Sequence, residues 1–194
     1  MYDAVTDSYC YEGGMVLKNI PGIRDQASLN EFEAAMTMQR SDEPLPPGEL
    51  SVAHYCAIHH HLFQDVYEWA GKFRTVRISK GGSAFCYPEY IDQEMQKLFD
   101  GLEHQNYLHE LSADVFATRA AHFLATLNAI HPFREGNGRA QTSFILLLAD
   151  RADHPLNIDK LVPGRFMEAM IASFEKDEQQ LAVELKRLTS RTTR

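Results

Sequence analysis

Residues 131–139 read HPFREGNGR, and no apolar helix can run through them. Pro132 disfavours helical geometry at His131, the residue before it. Gly136 and Gly138 add two weak helix formers within three positions. On either side the apolar spacing is strongly helical. Upstream, Ser112 is placed to cap a helix whose buried face is Val115, Phe116, Ala120, Phe123, Leu124, Leu127 and Ile130. Downstream, a second apolar helix restarts after Gly138 with Phe144, Ile145 and Leu148. Any fold for this chain must therefore contain a helix, a tight polar turn and a second helix, in that order.

The remaining segments are read against that constraint. A first helix is expected from near Ser28, where Ser28 and Glu31 have capping-box spacing and Leu29, Phe32 and Met36 share a face. The proline-rich SDEPLPPGE, 41–49, ends it. Ser51 is placed to cap the next helix, with Val52, Tyr55, Ile58, His59, Leu62 and Val66 as its stripe. The pattern then alternates. FRTVRISKGGSAFCYP predicts a hairpin with strands Phe73–Ser79 and Ala84–Tyr87 about Gly81 and Gly82. Pro88 suits the first turn of a helix running to about His104, and two shorter helices are expected near 163–174 and 177–188. The fold class is mostly α with one exposed β-hairpin, and 194 residues suffice for one domain with a real core.

Composition enters mainly by exclusion. With 19 Lys and Arg against 27 Asp and Glu, the formal charge is −8. That argues against a nucleic-acid-coating surface, which needs a basic face to release counterions. The longest strongly apolar run, FILLLA at 144–149, is too short to span a bilayer, so no membrane partner is expected. The acidic, aromatic start MYDAVTDSYCYEGG is unlike a signal peptide. Cys10, Cys56 and Cys86 are odd in number and widely spaced, which fits reduced thiols in a cytosolic protein. His59, His60 and His61 point in different directions on a helix and cannot chelate one ion together; His54 has no partner at i+4.

The turn itself has the physics of an anion site. A helix start presents backbone N–H groups that lack intrahelical partners, and the helix dipole attracts negative charge there. Gly136 and Gly138 permit the close approach and positive φ of an anion cradle, and Asn137 between them can donate from its amide. Glu135 is a hard oxygen ligand of the kind Mg²⁺ takes alongside phosphates and water. Arg139 is oddly placed for the dipole but well placed to neutralise phosphate oxygens. His131 belongs to the residue type suited to moving protons near neutral pH. Phe133, between polar neighbours, is expected to point inward and pin the turn to the core. These parts suit attack on a nucleotide phosphate; the bland alternative is a capped helix–turn–helix with a solvated turn.

HPFREGNGR resembles the signature of the Fic family, which is HPF, one variable residue, an acid, then GN, Gly or Lys, and Arg, at every fixed position. The helix before it, the stretch VYEWAGKFRTVRI and the hairpin TVRISKGGSAFCYP are similar too, so the likeness runs from about Tyr9 into the 170s. The resemblance implies a Fic fold, a multi-helix bundle around a helix–loop–helix active site with the hairpin as a flap. It implies a single domain, with residues 1–27 as an N-terminal extension, 28–175 as the core, and 176–194 as a C-terminal helix and basic tail. It also implies protein adenylylation. His131 would deprotonate a Tyr, Thr or Ser hydroxyl of a target protein, which attacks the α-phosphorus of ATP, leaving AMP on the target and releasing pyrophosphate. Glu135 would hold Mg²⁺; Gly136, Asn137 and Gly138 would form the anion hole; Arg139 would bind the outer phosphates. Flap residues Ser79, Lys80, Gly81, Gly82, Ser83, Ala84 and Phe85 would position an extended target segment by edge pairing.

Three features qualify the likeness. AMP-transferring relatives commonly continue GNGRxxR, and here the second arginine position is Thr142, which cannot pair with a γ-phosphate or with the inhibitory glutamate found in many Fic proteins. The string SYCYEG, Ser8–Gly13, matches the Ser/Thr-xxx-Glu-Gly/Asn inhibitory pattern but is poor helix material and is read as a coincidence. A separate small antitoxin protein is then the partner implied, as in toxin-like members. Gly138, where the Doc branch carries Lys, favours nucleotidyl over phosphoryl transfer. UMP or phosphocholine transfer, and a silent target-binding adaptor, are the alternatives; the intact His131, Glu135, Asn137 and Arg139 weigh against the adaptor. Translocation into a host cell, known for some relatives, is compatible with the sequence.

Overall fold

The computed structural model describes residues 7–80 and 83–189. It is mostly helical, with seven α-helices and one two-stranded hairpin among the described residues. The helices are α1 (Gln26–Ser41), α2 (Val52–Phe63), α3 (Pro88–His104), α4 (Ala113–Ile130), α5 (Asn137–Arg151), α6 (Pro163–Phe174) and α7 (Gln179–Leu188). The strands are β1 (Ser79–Lys80) and β2 (Ser83–Ala84). No helix among the described residues is long and apolar enough to cross a membrane. The chain divides into two compact units. One holds the residues up to Asp92 together with His131–Ala140; the other holds Gln93–Ile130 and the residues from Gln141 onward.

In the first unit α1 packs on α2. Asp25, rather than Ser28, caps α1. Its carboxylate accepts from the Ser28 N–H at 2.8 Å and from the Ser28 hydroxyl at 2.9 Å. The helix thus starts before Ser28, because an aspartate three residues upstream satisfies the same orphan amide. Ser51 caps α2 as the spacing predicts, accepting from the His54 N–H at 3.2 Å. Arg40 at the end of α1 grips Asp65 with two bonds of 2.6 and 2.9 Å, fixing the two helices' register. Val66 is buried but follows the end of α2. SYCYEG forms turns and a bridge rather than a helix, with Cys10 paired antiparallel to Leu17.

The hairpin is shorter than the alternation suggests. Among the described residues Ser79 pairs with Ala84 and Lys80 with Ser83, and the Phe85 N–H adds one bond to the Ile78 carbonyl at 3.2 Å. Yet residues 74–78 still alternate in burial, with Arg74 and Ile78 inside and Thr75 and Arg77 outside. The extended backbone spends its donors elsewhere: Arg74 N–H bonds to the Pro132 carbonyl at 2.8 Å instead of to a partner strand. Gly81 and Gly82 lie outside the described residues.

The second unit is built on α4, against which α6 and α7 pack. Phe116, Ala120, Phe123, Leu124, Leu127 and Ile130 form its buried face, as their spacing requires. Val115 is 44 % exposed, and Ala117 and Ala121 lie inward instead. Val115 falls in the opening turn, on the side facing solvent, whereas alanines let neighbouring helices approach closely. Phe123 stacks on Phe144 of α5 at 5.6 Å, with Phe99 of α3 edge-on to both. Leu181, Leu185 and Leu188 give α7 its inward stripe.

Candidate active site

The turn between α4 and α5 is held by a set of bonds that leaves it little freedom. His131 has a φ of 51°, the left-handed region, immediately after α4 ends at Ile130. Histidine is among the non-glycine residues that tolerate this region. Its carbonyl accepts from Arg74 Nε at 2.8 Å, and its imidazole lies against the Phe85 ring at a centroid distance of 3.9 Å. Arg74 is 2 % exposed. Its Nη1 donates to the Val76 carbonyl at 2.7 Å and its Nη2 to the Cys86 carbonyl. One buried guanidinium thus ties both legs of the hairpin to the backbone of His131.

Phe133 is fully buried, as expected, in a cluster with Tyr55, His59 and Phe73. Asn137 closes the turn on itself. Its Oδ1 accepts from Phe133 N–H at 2.9 Å and its Nδ2 donates to the Phe133 carbonyl at 2.8 Å. The side-chain amide thus shapes the loop with its oxygen and one of its two N–H donors. A closed two-bond ring of this kind predefines the cradle.

His59, read from sequence as an ordinary helix histidine, is 0 % exposed and props the loop from α2. Gly71 N–H donates to its Nδ1 at 2.8 Å, so the proton sits on Nε2, which donates to the Glu135 carbonyl at 2.9 Å. Burial pushes its pKa down to about 3, so it stays neutral at ordinary pH. His54 is satisfied by backbone in the same way: Leu50 N–H donates to its Nδ1, and its Nε2 bonds the Pro46 carbonyl.

The two glycines differ. Gly136 has a φ of +81°, and a Cβ there would meet the Phe63 ring at 2.3 Å. Gly138 has open space on its Cβ side and needs no positive φ. Helix α5 accordingly begins at Asn137, earlier than expected, because Gly136 alone makes the turn. Ala140 N–H to the Gly136 carbonyl, at 3.1 Å, is the first rung beyond it. The amides of the preceding turn lie at the positive end of the helix dipole. Gly136→Ala should cost about 2–4 kcal/mol by combining backbone strain with overpacking. Gly138→Ala should stay within about 0.5 kcal/mol of the parent. Denaturant unfolding of the pair checks this; equal losses would refute the assignment.

Glu135 is half-buried, and its Oε1 accepts from the Gly136 N–H at 2.9 Å. Arg134, which no motif singled out, forms a buried ion pair with Asp7. Arg139 projects from the first turn of α5 and meets Glu33 and Thr37 of α1, its guanidinium carbon 4.6 Å from the centre of the Phe63 ring. Of the hairpin residues proposed from sequence, Ser79, Lys80, Ser83 and Ala84 form the paired strands, whereas Phe85 is buried beneath them on His131. Thr142 lies in the second unit, lining an apolar cavity of about 30 Å³ with Ile145, Leu146, Leu156, Leu185 and Leu188.

Sequence reasoning missed Glu33, Thr37 and Asp7, whose partners lie 106, 102 and 127 residues away. Arg74 did carry a signal, since it shares parity with Val76 and Ile78 on the inward side of an alternating run.

A family model described as Fic/DOC matches residues 49–149. A relative named probable protein adenylyltransferase y4lH, from Sinorhizobium fredii, is 50% identical over 188 residues, covering 96% of this chain and 98% of its own length. The protein adenylyltransferase VbhT of Bartonella schoenbuchensis is 35% identical over 96% of this chain, which spans 40% of that protein. Among solved structures, BepC of Bartonella tribocorum with bound AMPPNP aligns with a TM-score of 0.83 at 28% identity, covering 94% of this chain and 96% of its own.

Proposed function

The chain belongs to the Fic/DOC family, and on that premise we propose that it is a protein adenylyltransferase. It transfers AMP from ATP to a Tyr, Thr or Ser hydroxyl of a target protein. The observation that carries this reading is the 50% identity, over 96% of the chain, to a relative named as a probable protein adenylyltransferase. The unbroken HPFREGNGR loop and its rigid support agree with it.

His131 takes the proton from the target hydroxyl. The freed oxygen bonds to the α-phosphorus, and the bond from that phosphorus to the bridging oxygen breaks, releasing pyrophosphate. The helix-start amides of Asn137 and Gly138 would face the phosphate oxygens, where fixed dipoles act without reorganising, while Gly136 shapes the turn and spends its own N–H on Glu135 Oε1. Arg139 takes the outer phosphates. Glu135 would hold Mg²⁺. Its second oxygen makes no hydrogen bond or ion pair among the described residues, and a single carboxylate beside substrate phosphates is the donor set this ion accepts. Bound there, Mg²⁺ would supply charge neutralisation to the phosphates.

The paired hairpin offers main-chain edge groups to an extended target segment through Ser79, Lys80, Ser83 and Ala84. A separate small antitoxin is the regulator this reading calls for, since SYCYEG forms no inhibitory helix. ATP as co-substrate places the reaction in a cytoplasm, that of the producing bacterium or, after translocation, of a host.

Incubating the protein with bacterial lysate, Mg²⁺ and ATP labelled at the α-phosphate should label discrete proteins. ATP labelled at the γ-phosphate should label nothing beyond what the lysate labels without the protein. Transfer from the γ-position alone would sink the adenylyl reading in favour of phosphoryl transfer.

A further inference from the structure

Arg139 is not left to find its ligand from a flexible tether. Its Nη2 is paired with Glu33 Oε1, and its Nη1 donates to Thr37 Oγ1 at 3.2 Å, while its guanidinium carbon lies 4.6 Å from the centre of the Phe63 ring. Glu33 is itself immobilised. Its Oε2 accepts from the Tyr67 hydroxyl, and its side chain is only 14% exposed. Thr37 donates its own hydroxyl proton to the Glu33 carbonyl at 2.8 Å, leaving its lone pairs for the arginine. Burial, and then the Glu33 charge, holds the Tyr67 hydroxyl well above its ordinary pKa, so it remains a donor.

Two roles are open to a carboxylate so placed. As a competitor it would occupy the arginine until phosphate displaced it. As a support it would fix one edge of the guanidinium and present the remaining N–H groups. A displaceable competitor belongs on a weakly held element. Glu33 instead sits inside the 16-residue helix α1, with its second oxygen tied to a buried phenol. Resting on the adenylyltransferase reading above, we propose that Glu33 is a positioning residue. It orients Arg139 toward the outer phosphates of ATP, with Tyr67 and Thr37 completing the support.

The sign of the effect separates the roles. A negative charge beside the phosphates weakens their attraction, so orientation must outweigh charge for the support to help. An arginine fork held in place loses less side-chain freedom when it binds.

The experiment measures ATP and AMP binding, with Mg²⁺ present, by the full chain, Glu33→Gln, Arg139→Ala and the double variant, alongside their thermal unfolding. AMP lacks the outer phosphates. Glu33→Gln should weaken ATP binding about tenfold, the scale of one charge-assisted contact. It should leave AMP binding within about twofold, and in the Arg139→Ala background it should add nothing further. Tighter ATP binding by Glu33→Gln makes Glu33 a competitor and overturns the proposal. Unchanged ATP binding, additive losses, or equal loss of ATP and AMP with a lowered melting temperature overturn it as well. Wild-type protein that fails to bind ATP overturns the nucleotide reading itself, a result distinct from all of these.

Discussion

Replacing His131 with asparagine is expected to lower AMP transfer by about a hundredfold or more, the usual contribution of a positioned general base. Asparagine is the informative variant because the backbone at this position is left-handed, with a φ of 51°. Asparagine tolerates that region; alanine does so less readily. The variant therefore removes the proton acceptor while keeping the turn. Its carbonyl remains available to Arg74, whose Nε–H bond anchors the loop. ATP binding should persist, since the cradle is shaped by Asn137, Gly136 and Phe133 rather than by the imidazole. The stack on Phe85 is lost, so unfolding must be measured in parallel. An asparagine variant that transfers AMP at the parent rate would remove His131 from the role of base.

Arg74→Met is expected to cost about 3 kcal/mol or more of stability, because it strands one buried and two part-buried carbonyls that a charged donor now satisfies. Those carbonyls belong to His131, Val76 and Cys86, so the loss spans the HPFREGNGR turn and both legs of the hairpin. Methionine matches the length of the side chain without its donors. Transfer per folded molecule should fall too, since the Arg74 guanidinium holds the carbonyl of His131. Arg74→Lys should recover only part of the loss, because one ammonium cannot reproduce a planar fork serving separate acceptors. Chemical unfolding, with activity corrected for the folded fraction, reads both effects. A cost under about 1 kcal/mol would show that water can take over these carbonyls.

Both experiments bear on how much the sequence made legible. Ser51 as the cap of α2, Pro132 as the stop of α4, and the spans of α6 and α7 follow from local rules, and the structure agrees. The members of HPFREGNGR were readable because they are contiguous, and turn chemistry, helix dipole and side-chain type converge on them. What holds them was not. Arg74 reaches His131 across 57 residues and Glu33 reaches Arg139 across 106. No periodicity encodes such pairings, which arise only when α1, the extended run after Gly71 and the catalytic turn meet. The hairpin was overestimated for a related reason. Alternation reports which side chains face inward, and it is silent on where the backbone donors go. Arg74 spends its amide on Pro132.

The open space beside Gly138 has an evolutionary consequence. Gly136 is locked by the Phe63 ring and by its own backbone angle, while Gly138 is constrained by neither. Gly138 is thus a position whose side chain can vary without a packing penalty, two residues from one where a Cβ does not fit. A lineage built on this scaffold can change that residue while its folding remains undisturbed. Drift at that codon is then invisible to folding, whereas a change at Gly136 is not.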